Sequence, residues 1–374
     1  MMRLLKAIVT LLLAGLLAAG CGQQRILEKL GFIQATGYDL PSEQEREKGR
    51  ELLVTINVPK ADPQGKMKLE TLSASVKSSK EARIEFARQT ELSLVSGQLR
   101  NTLYGVSLAK IGFMNHIDTL VRDPSISQLV KVSVVNGSAH DLLIKRYPEH
   151  PNTGQYVDRL LEKESISMAI PRITVYDFTR DYYDDGIDPI APILKQNAKN
   201  IAVDGIALFH NDQYKTRIEP DKTLIFAIIR QNFKYGEMSI NLAEDKGEEG
   251  QVIFSSVINH RKIRVTREQT DRFSVVIEIV TRGSVHEYTG NLKLSDDADR
   301  KKVESLIAGH IEREAGDMLV LMQKNKVDSI GIGQYVRNSM SYSEWKKLNW
   351  EEVYPRISIA CKAKVIIQDY GKFK

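Results

Sequence analysis

The sequence predicts a multi-domain α+β protein with mostly antiparallel or mixed sheets, packed helices and one long helix near its C-terminal end. Three observations carry this. Apolar residues alternate over several short segments bounded by Gly, Pro and Asn-Gly turns, which is the period of half-buried strands. From Asp296 to about Lys324 they recur instead at three- and four-residue steps, the period of a helix. The chain has 374 residues, 42% hydrophobic and 27% charged, a folded composition longer than one core usually organises. Strands clustered in meanders, with helices between them, favour α+β over a doubly wound fold.

The first element is a signal. Arg3 and Lys6 precede an apolar run of 13 residues, 7–19, with Thr10 its only polar member, and the small residues Ala18-Ala19-Gly20 lead into Cys21. Ala18 stands where leucine is usual. The run is too short for a transmembrane helix. It predicts a bacterial lipoprotein signal, residues 1–20, with Cys21 as the lipid attachment point and first mature residue. Residues 51–58 then form a strand, ended by Pro59 and the turn at 62–65, and 66–76 pairs with it. Helices are expected over 79–90, capped by Ser78 or Ser79, and over 107–121, stopping at Asp123-Pro124. A strand at 129–135 ends at Asn136-Gly137. A helix covers 156–165, and 171–192 makes a helix followed by a loop at Asp185-Gly186.

A buried strand at 200–209 is expected to open a second region, dividing the mature chain into 21–199 and 200–374. Residues 223–231 are helical. Four strands follow at 238–242, 252–258, 262–265 and 273–281, as an antiparallel meander with turns at Gly247, Gly250, Asn259-His260 and Gly283. In the long helix, Val303, Leu306, Ile307, Ile311, Ala315, Met318, Leu319 and Met322 form one apolar stripe for packing on the C-terminal sheet. Asp296 and Asp297 suit the positive end of its dipole. Gly331 and Gly333 make a tight turn into the next helix, and 356–368 is a closing strand.

Charge and cysteines narrow the classes. The net charge of +5 falls to +3 without Arg3 and Lys6 (5 − 2), too little for a nucleic-acid binder. With Cys21 lipidated, Cys361 has no partner for a disulfide and reads as a small buried hydrophobe. Seven scattered histidines, no His-Glu-x-x-His and no paired cysteines give no expected metal site. There is no Gly-x-Ser-x-Gly elbow, and Val336 breaks the dinucleotide pattern begun at Gly331, so no catalytic residue and no cofactor are expected. The sharpest cluster is Asp181, Asp184, Asp185 and Asp188. Paired carboxylates could serve a glycosidase or hold calcium, but the spacing misses the EF-hand pattern, and the cluster reads best as a solvated turn on Asp185-Gly186.

Several segments together resemble the Ger(x)C lipoproteins, the C subunits of GerA-type spore germinant receptors. They are residues 26–39, 97–100, 105–112, 185–189, 205–209, 323–335 and 345–354, spread over nearly the whole chain. The resemblance implies a non-enzymatic subunit of a nutrient receptor complex that triggers germination. It would be lipidated at Cys21 on the outer face of the spore's inner membrane, beside membrane-embedded A and B subunits. The competing expectation from the signal alone is a lipid-anchored solute-binding protein, disfavoured by the antiparallel meander.

Overall fold

The computed structural model describes residues 29–61, 67–242, 250–269 and 271–371. Cys21, the turn at 62–65 and Gly247 lie outside them. The described chain folds as α+β around two large sheets.

The first sheet begins after β1 (Leu30–Phe32), which pairs in parallel with β5 (Ser93–Val95) as a separate ribbon. Its strands are β2 (Ala35–Asp39), β3 (Leu52–Ala61), β4 (Met67–Val76), β6 (Asn101–Gly105), β7 (Lys131–Val135), β8 (Ile190–Gln196), β9 (Ile201–His210) and β10 (Gln213–Ile218). The spatial order is 10-9-8-7-6-2-3-4. The expected β3–β4 hairpin is present, with Leu52 opposite Val76. The centre of the sheet, β2, β6, β7 and β8, is parallel, while both flanks are antiparallel.

Helices cross between the parallel strands. After α1 (Glu43–Glu47), α2 (Ser79–Ala87) starts at Ser78, whose hydroxyl accepts from the Glu81 amide. The helix expected over 107–121 is two, α3 (Val106–Ile111) and α4 (Met114–Val121). Gly112, at φ 104°, turns the chain between them, and the Asp212 carboxylate accepts from the Met114 amide at 2.9 Å. A carboxylate 98 residues away thus caps the start of the second helix. Then come α5 (Ala139–Ile144), α6 (Thr153–Ile166) and α7 (Val175–Tyr183). An aromatic column ties these layers together: Tyr38 stacks on Tyr104 at 5.2 Å, Tyr104 on Phe113 at 4.0 Å, and Phe113 meets Phe178 at 5.0 Å.

The strand expected to open a second region, β9, hydrogen-bonds to β8 from Ile201 opposite Gln196 to Leu208 opposite Ile190. The first sheet therefore runs across residue 200. Beyond it, α8 (Thr223–Arg230) leads into β11 (Phe233–Lys234), β12 (Glu237–Asn241), β13 (Gln251–Arg267) and β14 (Phe273–Tyr288). The four expected meander strands from 238 to 281 are three. Asn259 is no turn: its buried side chain donates to the carbonyls of Ile228 and Gln231, closing the end of α8, while β13 runs straight through. Gly283 is likewise mid-strand, because the Phe254 ring occupies the place of a side chain there.

The long helix, α9 (Asp297–Lys324), starts at Asp296, whose carboxylate accepts from the amides of Ala298 and Asp299. Its buried residues are the eight of the expected stripe. It packs on β15 (Ser358–Asp369), the parallel neighbour of β14, after α10 (Ile332–Asn338), α11 (Tyr342–Trp345) and α12 (Trp350–Val353). Among the described residues no helix is long and apolar enough to cross a membrane.

Candidate functional site

The expected turn at Asp185-Gly186 is present with Asp185 exposed, but the acidic cluster around it is engaged rather than free. It is the clasp between the first sheet and the C-terminal layer. Asp181, near the end of α7, is 2% exposed and lies between Arg180 at 2.7 Å and Arg230 at 2.9 Å. Arg230 ends α8 and also donates to the Ser329 carbonyl. Asp184 accepts from Arg337 at 2.6 Å and Gln334 at 3.0 Å, and Asp185 from Lys346 at 2.9 Å. The backbone follows the same path, since the Gln334 amide donates to the Gly186 carbonyl at 3.0 Å. Gly186 has φ 103°, and a Cβ on it would come within 2.6 Å of Gly333. Only glycine allows both the turn and that contact.

At the centre the buried Asp328 and the partly buried Asp188 meet through backbone. Asp188 accepts from the Asp328 amide at 2.7 Å and the Asn211 amide at 3.1 Å, and its own amide donates to the Asp328 carbonyl at 3.0 Å. Asp328 accepts from the amides of Ile332 at 2.8 Å and Gly333 at 2.6 Å, and from the Trp350 indole at 3.2 Å. It thereby satisfies the exposed donors at the start of α10. Trp345, Trp350 and Tyr354 pack in series, at 5.8 and 5.7 Å, beside an open cleft of about 280 Å³.

Burial pushes the Asp328 carboxyl up to about 7, against the pull of its two amide donors, with Asp188 adding to the rise. Burial raises Asp188 as well, whereas Lys346 lowers Asp185. The folded state therefore keeps the Asp328 proton to about pH 7, while the unfolded chain releases it near 3.8. This contribution to stability is full below about pH 4 and is lost as the pH rises through 7. An Asp328→Asn variant should gain on the wild type across that window, read as the difference between their melting temperatures. A difference that does not vary with pH would contradict this.

Chemically the clasp is occupied with itself. Asp181, Asp184, Asp185, Asp188 and Asp328 each already bind a cation or an amide, and among the described residues no three metal-ligating side chains are grouped to hold an ion. Cys361 sits half buried in β15, with burial pushing its thiol up to about 12. Sequence reasoning singled out the aspartates but missed Arg230, Asp328 and Arg337. Of these only Asp328 lies in a segment that carried the family resemblance, 323–335. The structure brings together four of the resembling segments, 185–189, 205–209, 323–335 and 345–354: the Phe209 amide, for example, donates to the Pro189 carbonyl at 3.2 Å.

Comparison with known proteins covers the same span. Residues 23–196 match the spore germination protein N-terminal domain, and residues 204–371 match the spore germination B3/GerAC-like C-terminal domain. The chain is 22% identical to spore germination protein GerQC of Bacillus cereus over 367 residues, covering 98% of this chain and 99% of that one. It is 20% identical to the spore germination protein YfkR of Bacillus subtilis (strain 168), covering 98% and 96%. Its fold is similar to the crystal structure of the GerBC protein, with a TM-score of 0.52 and 15% identity, over 89% of this chain and 97% of that one. With both domains matched in order and almost end to end, the chain belongs to the GerAC-like family of spore germination proteins.

Proposed function

We propose that the chain is the lipid-anchored, non-enzymatic C subunit of a nutrient (germinant) receptor complex that triggers bacterial spore germination. It is held through Cys21 on the outer face of the spore's inner membrane, beside membrane-embedded A and B subunits. The observation that carries this is the end-to-end likeness to GerQC, joined to the signal ahead of Cys21. The self-satisfied clasp supports a body that couples parts rather than one that turns over a substrate. The regions 21–199 and 200–374 are proposed as units of descent rather than separately folding bodies, because β9 and β10 complete the first sheet.

A diacylglycerol on Cys21 buries two chains at about 0.8 kcal/mol per methylene, enough for stable anchoring without inserting protein surface. Cys21→Ala should therefore leave the protein unlipidated, deplete it from spore membranes and depress nutrient-triggered germination. Mass spectrometry of the mature N-terminus decides the anchor: an unmodified Cys21, or cleavage elsewhere, would refute it.

A further inference from the structure

Between α2 and α4 a cleft reaches down to one face of the first sheet. Thr36 lies opposite Ile56 and Tyr38 opposite Val54, so the four side chains share that face. They floor a cleft of about 340 Å³ walled by Ala82 and Phe86 of α2, Leu120 of α4 and Leu99. The floor is rigid, because Tyr38 stacks on Tyr104 at 5.2 Å and on His116 at 5.8 Å. Yet the Tyr38 hydroxyl, on a residue only 3% exposed, has no hydrogen-bond partner among the described residues. Burial pushes that phenol well up, so it stays a neutral donor.

The rim is cationic. Lys80, Arg83 and Arg122 line it against the single carboxylate of Asp123. Arg83 is paired with Asp123 at 2.9 Å and Arg122 with Asp118 at 2.7 Å, whereas Lys80 has no ion-pair partner among the described residues. The position matters too. Ile33 lines the cleft, and Lys29, where the described chain begins, follows Cys21 by eight residues, a tether of at most about 29 Å when extended.

We propose that this cleft takes one acyl chain of an anionic phospholipid, with the phosphate at Lys80 and Arg83. The apolar walls suit methylenes, the Tyr38 hydroxyl suits an ester oxygen, and the rim charge suits the head group. This placement rests on the Cys21 anchor, which would hold the cleft within reach of the bilayer surface. The lipid then orients the body on the membrane, where a two-chain anchor alone leaves it free to swivel.

The test uses the full mature chain carrying Cys21→Ser, so the lipid anchor plays no part in it. Calorimetric titration with dihexanoylphosphatidylglycerol, below its micelle concentration, should saturate. The zwitterionic dihexanoylphosphatidylcholine should bind about fivefold more weakly, the worth of one lysine near an anionic head. Ala82→Phe, which fills the cleft, should abolish binding of both lipids. Lys80→Glu, on an exposed residue, should erase the preference for phosphatidylglycerol and leave the melting temperature unchanged. The proposal fails if neither lipid saturates, or if a folded Ala82→Phe protein binds as before. It also fails if the cleft takes only a free apolar amino acid, such as phenylalanine. Should Ala82→Phe not fold, Lys80→Glu decides, since an unchanged lipid preference overturns the proposal. A negative result here leaves the mass spectrometry of Cys21 untouched, and the reverse holds as well.

Discussion

Asp181→Ala is expected to destabilise the protein by about 3–5 kcal/mol, the cost of breaking a buried ion pair from one side. Asp181 is 2% exposed, and the side chain of its partner Arg230 is only 11% exposed. Alanine is a better helix former than aspartate, so α7 itself loses nothing by the change. What is lost is the counter-charge. Burial already pulls the Arg230 guanidinium below its ordinary range, and Asp181 is the main group opposing that. Arg180, half exposed, can turn to water when Asp181 goes; Arg230 cannot. Replacing both partners by apolar residues, Asp181→Leu with Arg230→Met, should restore much of the loss, because the desolvation cost disappears with the charges. Asp185→Asn serves as the control. Its pair with Lys346 is half exposed on both sides and should be worth no more than about 1 kcal/mol. Urea titration of the mature chain reads all of these, and an unchanged midpoint for Asp181→Ala would show that the clasp does not hold the layers together.

What could be read in advance was whatever local pattern decides. Ser78 as a cap, the β3–β4 hairpin, the eight buried positions of α9 and the turn at Gly331 depend on neighbours within a few residues. The misreadings share one cause, a partner distant in sequence. Asp212 caps a new helix just after Gly112, Asn259 serves α8 rather than a turn, and the Phe254 ring fills the space beside Gly283 in mid-strand. The parallel centre of the first sheet was hidden for the same reason, since parallel neighbours are joined by long crossovers and leave no hairpin signal. The acidic loop is the clearest case. Its composition is that of a solvated turn, and partners far along the chain, among them Arg230, Arg337 and the amide of Asp328, make it a clasp.

Ile311→Ala should cost about 2–5 kcal/mol, the range for a buried large-to-small change that leaves a cavity. Ile311 is fully buried in the stripe that α9 lays on β15 and α8. The helix is also pinned to the sheet by polar contacts. Glu312 accepts from the Ala363 amide at 2.7 Å, and Glu304 from the Ile367 amide at 2.8 Å. These are amides that an edge strand would otherwise offer to a passing strand, so the two carboxylates close the edge while fixing the helix's register. With the register fixed, the neighbours of Ile311 cannot slide in to fill the space, which favours the upper part of the range. The measurement belongs on the full mature chain, because a fragment starting at residue 200 would strip β9 and β10 from the first sheet. Were the stripe a docking face for another subunit, Ile311→Ala would leave the midpoint of the isolated chain where it was and weaken only assembly. A lowered midpoint with assembly intact at low temperature places the stripe in the core.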